Sequence, residues 1–317
     1  MSVMNAGRIC GIHLLAFLIV AVWGTTFVST KMLINNGLRP VDIFFVRFLL
    51  AYLCILPLAG RRLFARSLGD ELQLALLGLT GGSLYFMTEN IALQYSYCSN
   101  VSLIVCATPL FTTALLGCFY KEERLNAAQT VCSVVALAGM ALVVLNGHFV
   151  LNLSPVGDML ACYASLTWAF YSLGVRRLRG KYPLLFVTRK VFAYGLLTIL
   201  PAFFFFPLQT DVILYARPLV WTNLLYLGFI ASFLCYFGWN VVMERIGVVR
   251  STNYLYFNPL VTLFTSYWVL GEQITPLAVV GTLLILGGVY GVDRLRAVRL
   301  LAGYRWRKTD KRKGGMR

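Results

Sequence analysis

Glu89 is the residue whose type and setting most demand a chemical explanation. It is a carboxylate in an apolar stretch, with Asn90 beside it and Tyr85 four positions earlier. In a helix Tyr85 and Glu89 share one face. A carboxylate held there can bind a cationic group or carry a proton. It can also pair with Arg47, an arginine embedded in another apolar stretch, and the two roles are compatible. Asn240 with Tyr236 and Trp239 builds a second polar and aromatic face, and Asn253 and Asn258 precede Pro259. Amides among apolar helices serve either as interhelical glue or as ligand contacts. Trp23 and Trp168 fall well inside their helices, which favours cavity walls, and Tyr171 lies one turn beyond Trp168. The residues expected to bind a substrate are therefore Trp23, Tyr85, Glu89, Asn90, Trp168, Tyr171, Tyr236, Trp239, Asn240, Asn253 and Asn258. No catalytic residue, cofactor or metal is expected. His13 and His148 are too far apart and too near helix ends to form a metal pair, and no Walker A, HExxH or GxSxG pattern occurs.

The elements that hold these groups follow from composition. The chain has 317 residues, 59% hydrophobic and 13% charged, with a mean hydropathy of +0.75. A water-soluble domain of that size cannot hide so much apolar surface, so its solvent is mostly lipid. About 20 apolar residues cross the hydrocarbon as a helix. Ten such spans fit between polar breaks: 10–30, 40–59, 71–95, 99–119, 127–146, 156–175, 184–206, 218–242, 250–270 and 276–293. Backbone groups in lipid must be satisfied within the chain, which forces helices. The alternation of a β-barrel is missing. Ionisable groups at mid-membrane cost about 2.5–3.5 kcal/mol on insertion scales, so Glu89 and Arg47 each need a reason to be there.

The formal net charge of +16 is set by position rather than by a nucleic-acid partner. Arg8, Arg61, Arg62, Arg66, Lys121, Arg124, Arg176, Arg177, Arg179, Lys181, Arg245, Arg250 and the basic tail from Arg294 to Arg317 fall on one side. Lys31, Arg39 and Arg217 fall on the other. By the positive-inside rule both termini are cytoplasmic. The tail is expected against anionic lipid headgroups, and no nucleic-acid-binding module accompanies it. The first helix is too long for a signal peptide and lacks a small-residue cleavage site, so it reads as a retained anchor. The eight cysteines have no CxxC spacing and read as small buried hydrophobes.

Punctuation in the sequence repeats. Pro109-Leu110-x-Thr112 returns as Pro259-Leu260-x-Thr262, Glu122 as Glu272, and Ala128 as Ala278, each 150 positions on. Leu77-Gly78 and Asn90 return as Leu227-Gly228 and Asn240, and Arg47 is echoed by Arg189. Two repeats of five helices are implied: 1–146 and 147–293, followed by a tail at 294–317. Because five is odd, the second copy runs through the membrane inverted, as in many secondary transporters. Pro109 and Pro259 each remove a backbone hydrogen bond and set a bend. The Glu122 and Glu272 turns read as helix-end caps rather than as ligands.

Taken together, Trp23-Gly24-x-x-Phe27-x-x-x-Lys31, Arg47-Phe48, the paired Pro-Leu-x-Thr motifs and Glu123-Arg124-Leu125 resemble the EamA-type branch of the drug/metabolite transporter superfamily across the whole chain. The resemblance implies an all-α basket of ten membrane helices, with a central cavity lined mainly by helices 1, 3, 4, 6, 8 and 9. It also implies export of small metabolites or amino acids across the cytoplasmic membrane. One departure is that Gly24 is matched by Ala169, so the close packing at that glycine is not expected to be symmetric.

The sequence thus points to a secondary transporter of small polar metabolites, amino acids or derivatives, working by alternating access as a monomer or a homodimer in the inner membrane. Proton antiport through Glu89 and facilitated exchange fit equally. A polytopic membrane enzyme would need an interfacial His/Asp/Glu cluster, and Glu122-Glu123 has no His partner. A nucleotide-sugar or phosphorylated-metabolite exchanger needs cavity cations. Only Lys31, Arg47, Arg189 and Lys190, near helix ends, could supply them.

Overall fold

The computed structural model describes residues 6–120, 126–145, 155–271, 276–277, 279–284, 287–288, 290–291 and 294–295. Lys121, Glu122, Glu123, Arg124, His148, Glu272, Ala278 and the tail beyond 295 lie outside the described residues.

Among the described residues the chain is helical and contains no strand. The helices are α1 (Ala6–Asn35), α2 (Pro40–Ile55), α3 (Leu68–Gly78), α4 (Leu84–Tyr95), α5 (Cys98–Val105), α6 (Thr108–Phe119), α7 (Ala127–Leu145) and α8 (Pro155–Leu178). They continue with α9 (Leu184–Ile199), the short α10 (Ala202–Phe205) and α11 (Val212–Ala216), α12 (Pro218–Leu225), α13 (Cys235–Ile246), α14 (Val248–Thr252) and α15 (Asn258–Leu270). Ten spans were expected. Among the described residues five helices are long and apolar enough to cross a membrane: Cys10–Asn35, Pro40–Leu58, Cys98–Phe119, Leu184–Phe205 and Pro218–Ile246. The helices that carry Glu89 and Asn90, or Asp158, Arg176 and Arg177, are less apolar because they present those groups to the interior or to the helix ends.

Two irregularities recur at matching places. A π-helical segment, Leu79–Ser83, joins α3 to α4, and a longer one, Tyr226–Leu234, joins α12 to α13. Each begins beside the Leu-Gly pair the two halves share. A π turn misaligns backbone carbonyls and often marks a functional stretch. Here Gly81 O accepts from the Tyr236 hydroxyl at 2.9 Å. A Cβ at Gly81 would lie 2.3 Å from the Tyr171 ring, so only glycine lets that ring reach the segment.

The prolines interrupt their helices rather than merely bending them. Pro109 stands in the first turn of α6 after a turn at Cys106-Ala107, and Pro259 in the first turn of α15 after the 3-10 segment Asn253–Phe257. A first-turn proline needs no intrahelical N–H partner. The carbonyls four residues earlier are taken within the protein. Val105 O accepts from Thr108 Oγ1 at 2.7 Å, and Leu255 O accepts from Cys106 Sγ at 2.9 Å. The second bond ties one break to the other.

α1 packs on α13 and α15, while α8 packs on α4 and α6. α2 lies on the 226–234 segment, α9 on the 79–83 segment, and α2 on α9. Phe44, Phe48, Phe86, Phe192 and Tyr236 form a continuous aromatic core between them. Cysteine placement departs from expectation: Cys98, Cys106 and Cys235 are buried, but Cys10, Cys118 and Cys162 are exposed. A small apolar side chain is as stable against lipid as in the core, so apolar context alone does not imply burial.

Candidate functional site

Five of the expected residues, Trp23, Tyr85, Glu89, Trp168 and Asn258, line one cleft of about 410 Å³, counting the space at its mouth. They come from α1, α4, α8 and the start of α15. Tyr85 is one turn from Glu89, and its hydroxyl donates to Glu89 Oε1 at 2.9 Å. No other protein donor reaches that carboxylate among the described residues. Trp168 meets Tyr85 with ring centroids 4.8 Å apart and Trp23 edge-on at 5.6 Å. The Trp23 indole is fixed by donating to Ala231 O at 3.0 Å, in the π segment of the other half. Trp168 Nε1 and Asn258 Oδ1, by contrast, are buried without a protein partner.

Arg47 lines the same cleft. Its Nε donates to Ser232 Oγ at 2.9 Å, and its guanidinium lies 4.3 Å from the centroid of the Phe86 ring. A desolvated cation over an aromatic face gains roughly 2 kcal/mol, which helps to offset its burial. Glu89 and Arg47 feel each other's charge, yet no salt bridge joins them among the described residues. The cleft therefore holds a carboxylate and a guanidinium side by side but not locked together.

The other expected residues stand elsewhere. Tyr171 donates to Asn240 Oδ1 at 2.7 Å, and Asn240 Nδ2 donates to Thr188 Oγ1 at 2.9 Å, forming a buried chain across α8, α13 and α9. Tyr236 is engaged with Gly81. Trp239 is fully buried, its ring tilted against that of Trp23 at 5.1 Å between centroids. These rings back the cleft wall rather than face it. Asn90 Nδ2 donates to Pro40 O at 3.2 Å, joining α4 to the start of α2. Asn253 is buried in the 3-10 segment and has neighbours of its own. Asn240 also borders a second cleft of similar size, between α8, α9 and α13, with Arg176, Arg179, Tyr182 and Glu244.

The remaining cations are committed. Lys31 Nζ donates to Leu93 O and to Ser96 O, at 2.5 and 3.1 Å, and so caps the C-terminal end of α4. Arg189 donates to Gly60 O at 2.8 Å and to Arg62 O. Lys190 pairs with Glu71, which also accepts from Tyr194. None of the three is left for a phosphate. Among the described residues no group of His, Cys, Asp and Glu could hold a metal ion.

The sequence marks none of Thr26, Phe27, Phe86, Val105, Thr108 and Leu255, which complete the wall, as a site residue, although Phe27 belongs to the shared motif of the first helix. Helical periodicity does not separate a cavity-facing apolar residue from a core one. Arg47 had a signal, an arginine within an apolar span, but there it reads as a partner for Glu89 or as a helix-end cation rather than as a cleft wall.

A polytopic helical chain with a buried charged and aromatic cleft defines a membrane transport protein, and comparison with known proteins agrees. The model of the EamA-like transporter family matches residues 11–145 and again 155–292, and the chain belongs to that family. It is 29% identical over 238 residues to a probable terminal-alkyne amino-acid exporter of Streptantibioticus cattleyicolor, covering 75% of this chain and 77% of that one. It is 26% identical to a probable amino-acid metabolite efflux pump of Escherichia coli (strain K12), over 94% of this chain and 97% of that one. It is 27% identical to an uncharacterized transporter of Archaeoglobus fulgidus, over 88% and 96%. One solved crystal structure superposes with a TM-score of 0.70 at 18% identity, covering 90% of this chain and 98% of the other, a likeness of fold.

Proposed function

We propose that this chain is a secondary transporter that exports small polar metabolites, amino acids or their derivatives, across the cytoplasmic membrane by alternating access. Its working parts are two inverted five-helix repeats, 1–146 and 147–293, with a cytoplasmic tail at 294–317 and both termini inside. The observation that carries this reading is the cleft itself. It is walled by Trp23, Tyr85 and Glu89 from one half and by Trp168 and Asn258 from the other, so relative motion of the halves must open or close it. Two further features support inversion. The π segments and proline breaks recur at matched places, and the packing of α1 on α13 and α15 is mirrored by α8 on α4 and α6. The cleft is narrow, with little of its space wide enough for more than water. A substrate enters once the walls part.

Glu89 binds a cationic group of the substrate or carries a coupling proton. The test is efflux of labelled amino acids from vesicles reconstituted with the purified protein, with and without a pH gradient. Saturable flux above that of protein-free vesicles is expected, and its absence sinks the transporter reading. If Glu89→Gln retains full gradient-driven flux, the residue has no part in proton coupling.

A further inference from the structure

The walls of the cleft carry unused hydrogen-bonding capacity of two opposite kinds. On the donor side, Arg47 spends only Nε, on Ser232, so its two terminal nitrogens have no protein acceptor among the described residues. Trp168 Nε1, on a side chain 4% exposed, has no acceptor either. On the acceptor side, Glu89 receives one bond, from Tyr85, and Asn258 Oδ1, on a side chain 4% exposed, receives none. Buried polar groups left without partners cost free energy that a ligand recovers by supplying them. The rest of the wall is apolar or aromatic: Phe27, Phe86, Val105 and Leu255.

A purely cationic ligand would satisfy Glu89 and Asn258 but leave Arg47 facing its charge. A purely anionic one would do the reverse, against Glu89. Like charges brought together in a poorly solvated cleft repel strongly. A ligand that carries both charges, and no net charge, answers all four groups at once.

We infer that the cleft is built for a zwitterion, a free amino acid with an apolar side chain. Its carboxylate is taken by Arg47 and the Trp168 indole N–H, and its ammonium by Glu89 and the Asn258 amide oxygen. This rests on the transporter reading and narrows it: amino acids blocked at either end are excluded. Trp168 and Asn258 become specificity-determining residues, one for each end of the substrate. The apolar side chain lies against Phe27, Phe86, Val105 and Leu255.

The test uses the full chain in detergent and in vesicles. Binding of L-leucine and L-phenylalanine is compared with that of their methyl esters, which keep only the positive charge, and of their N-acetyl forms, which keep only the negative one. The free amino acids should bind at least about tenfold more tightly than either blocked form, the scale of one lost charged hydrogen bond. Trp168→Phe keeps the ring and removes the N–H. It should weaken the free amino acid by about tenfold and leave the methyl ester unchanged. Glu89→Gln should weaken the free amino acid and leave the N-acetyl form bound as tightly or more tightly, since the charge that repels it is gone. If either blocked form binds as well as the free amino acid, or if the variants weaken every ligand equally, the inference is overturned. The same holds if neither amino acid binds more tightly than its derivatives. Flux of a blocked form in vesicles would overturn it while leaving the transporter reading intact. Preferential binding of free amino acids without flux would do the opposite.

Discussion

The Thr262 hydroxyl donates to the Gly24 carbonyl at 2.8 Å, joining α15 to α1. A Cβ at Gly24 would lie 2.6 Å from Val261 Cβ and 3.1 Å from Asn258 O, so the missing side chain is what permits the bond. The matched position in the other half is Ala169, fully buried in α8. There Thr112, the counterpart of Thr262, has a buried hydroxyl without a protein partner.

Gly24→Ala should therefore destabilise the protein by about 1–3 kcal/mol, the usual cost of overpacking a tight contact. Thr262→Val, which removes only the hydrogen bond, should cost about 0.6 kcal/mol, typical of interhelical bonds in membranes. Thermal unfolding of the two variants in detergent measures both. Equal costs would show that the contact is not steric.

Breaking the buried chain from Tyr171 through Asn240 to Thr188 should be costlier than its two bonds suggest. Asn240→Ala strands two hydroxyls in the core and should cost about 1–3 kcal/mol for each group left unsatisfied. In the Tyr171→Phe background the same change should cost less, since one of those groups is gone. A double-mutant cycle by thermal unfolding reads the coupling, and strict additivity would refute it.

Lys31 places a cation at the C-terminal end of α4, where the helix dipole and two free carbonyls attract it. Lys31→Met should lower stability by about 1–2 kcal/mol, the upper range for partly buried charges at helix ends. Lys31→Arg, which keeps the charge, should recover part of the loss. A melting curve unchanged in Lys31→Met would assign the residue no capping role.

Outside the predicted span 71–95, Asp70 accepts from the Tyr182 hydroxyl at 2.8 Å and pairs with Lys181 at 3.1 Å. The Tyr182 bond, and after it the Lys181 bond, hold its carboxyl below the usual carboxylate range. The folded state thus prefers the ionised form. The resulting stability is fully present above the unfolded-state pKa and is lost as pH falls through the lower folded-state value. Asp70→Asn should lower the melting temperature slightly near neutral pH, converge on wild type in acid, and so flatten the acid side of the profile below about pH 4. A wild-type profile in that window with Asp70→Asn would remove the contribution.

A reporter fused after Arg317 should be cytoplasmic, as the inverted-repeat reading requires. A periplasmic signal would leave an odd number of crossings and sink that topology.

By itself the sequence determined the solvent and the punctuation. An apolar share this large has no place to go but lipid, and prolines and Leu-Gly pairs at a fixed offset mark two copies of one pattern, although that the prolines begin new helices rather than bend old ones came only with the structure. It also isolated Glu89, since a carboxylate in an apolar span stands out by type alone. Only the tertiary structure decided that Tyr171, Tyr236 and Asn240 spend their polar atoms on Gly81, Thr188 and one another, while Trp168 and Asn258 keep theirs unspent. Helical periodicity shows which residues share a face but not which faces meet. The π segments at 79–83 and 226–234 shift that phase midway along the very helices that carry Glu89 and Asn240. Whether Arg47 turns toward Ser232 and Phe86 or locks onto Glu89 depends on the distance between helices, which no spacing along one chain encodes.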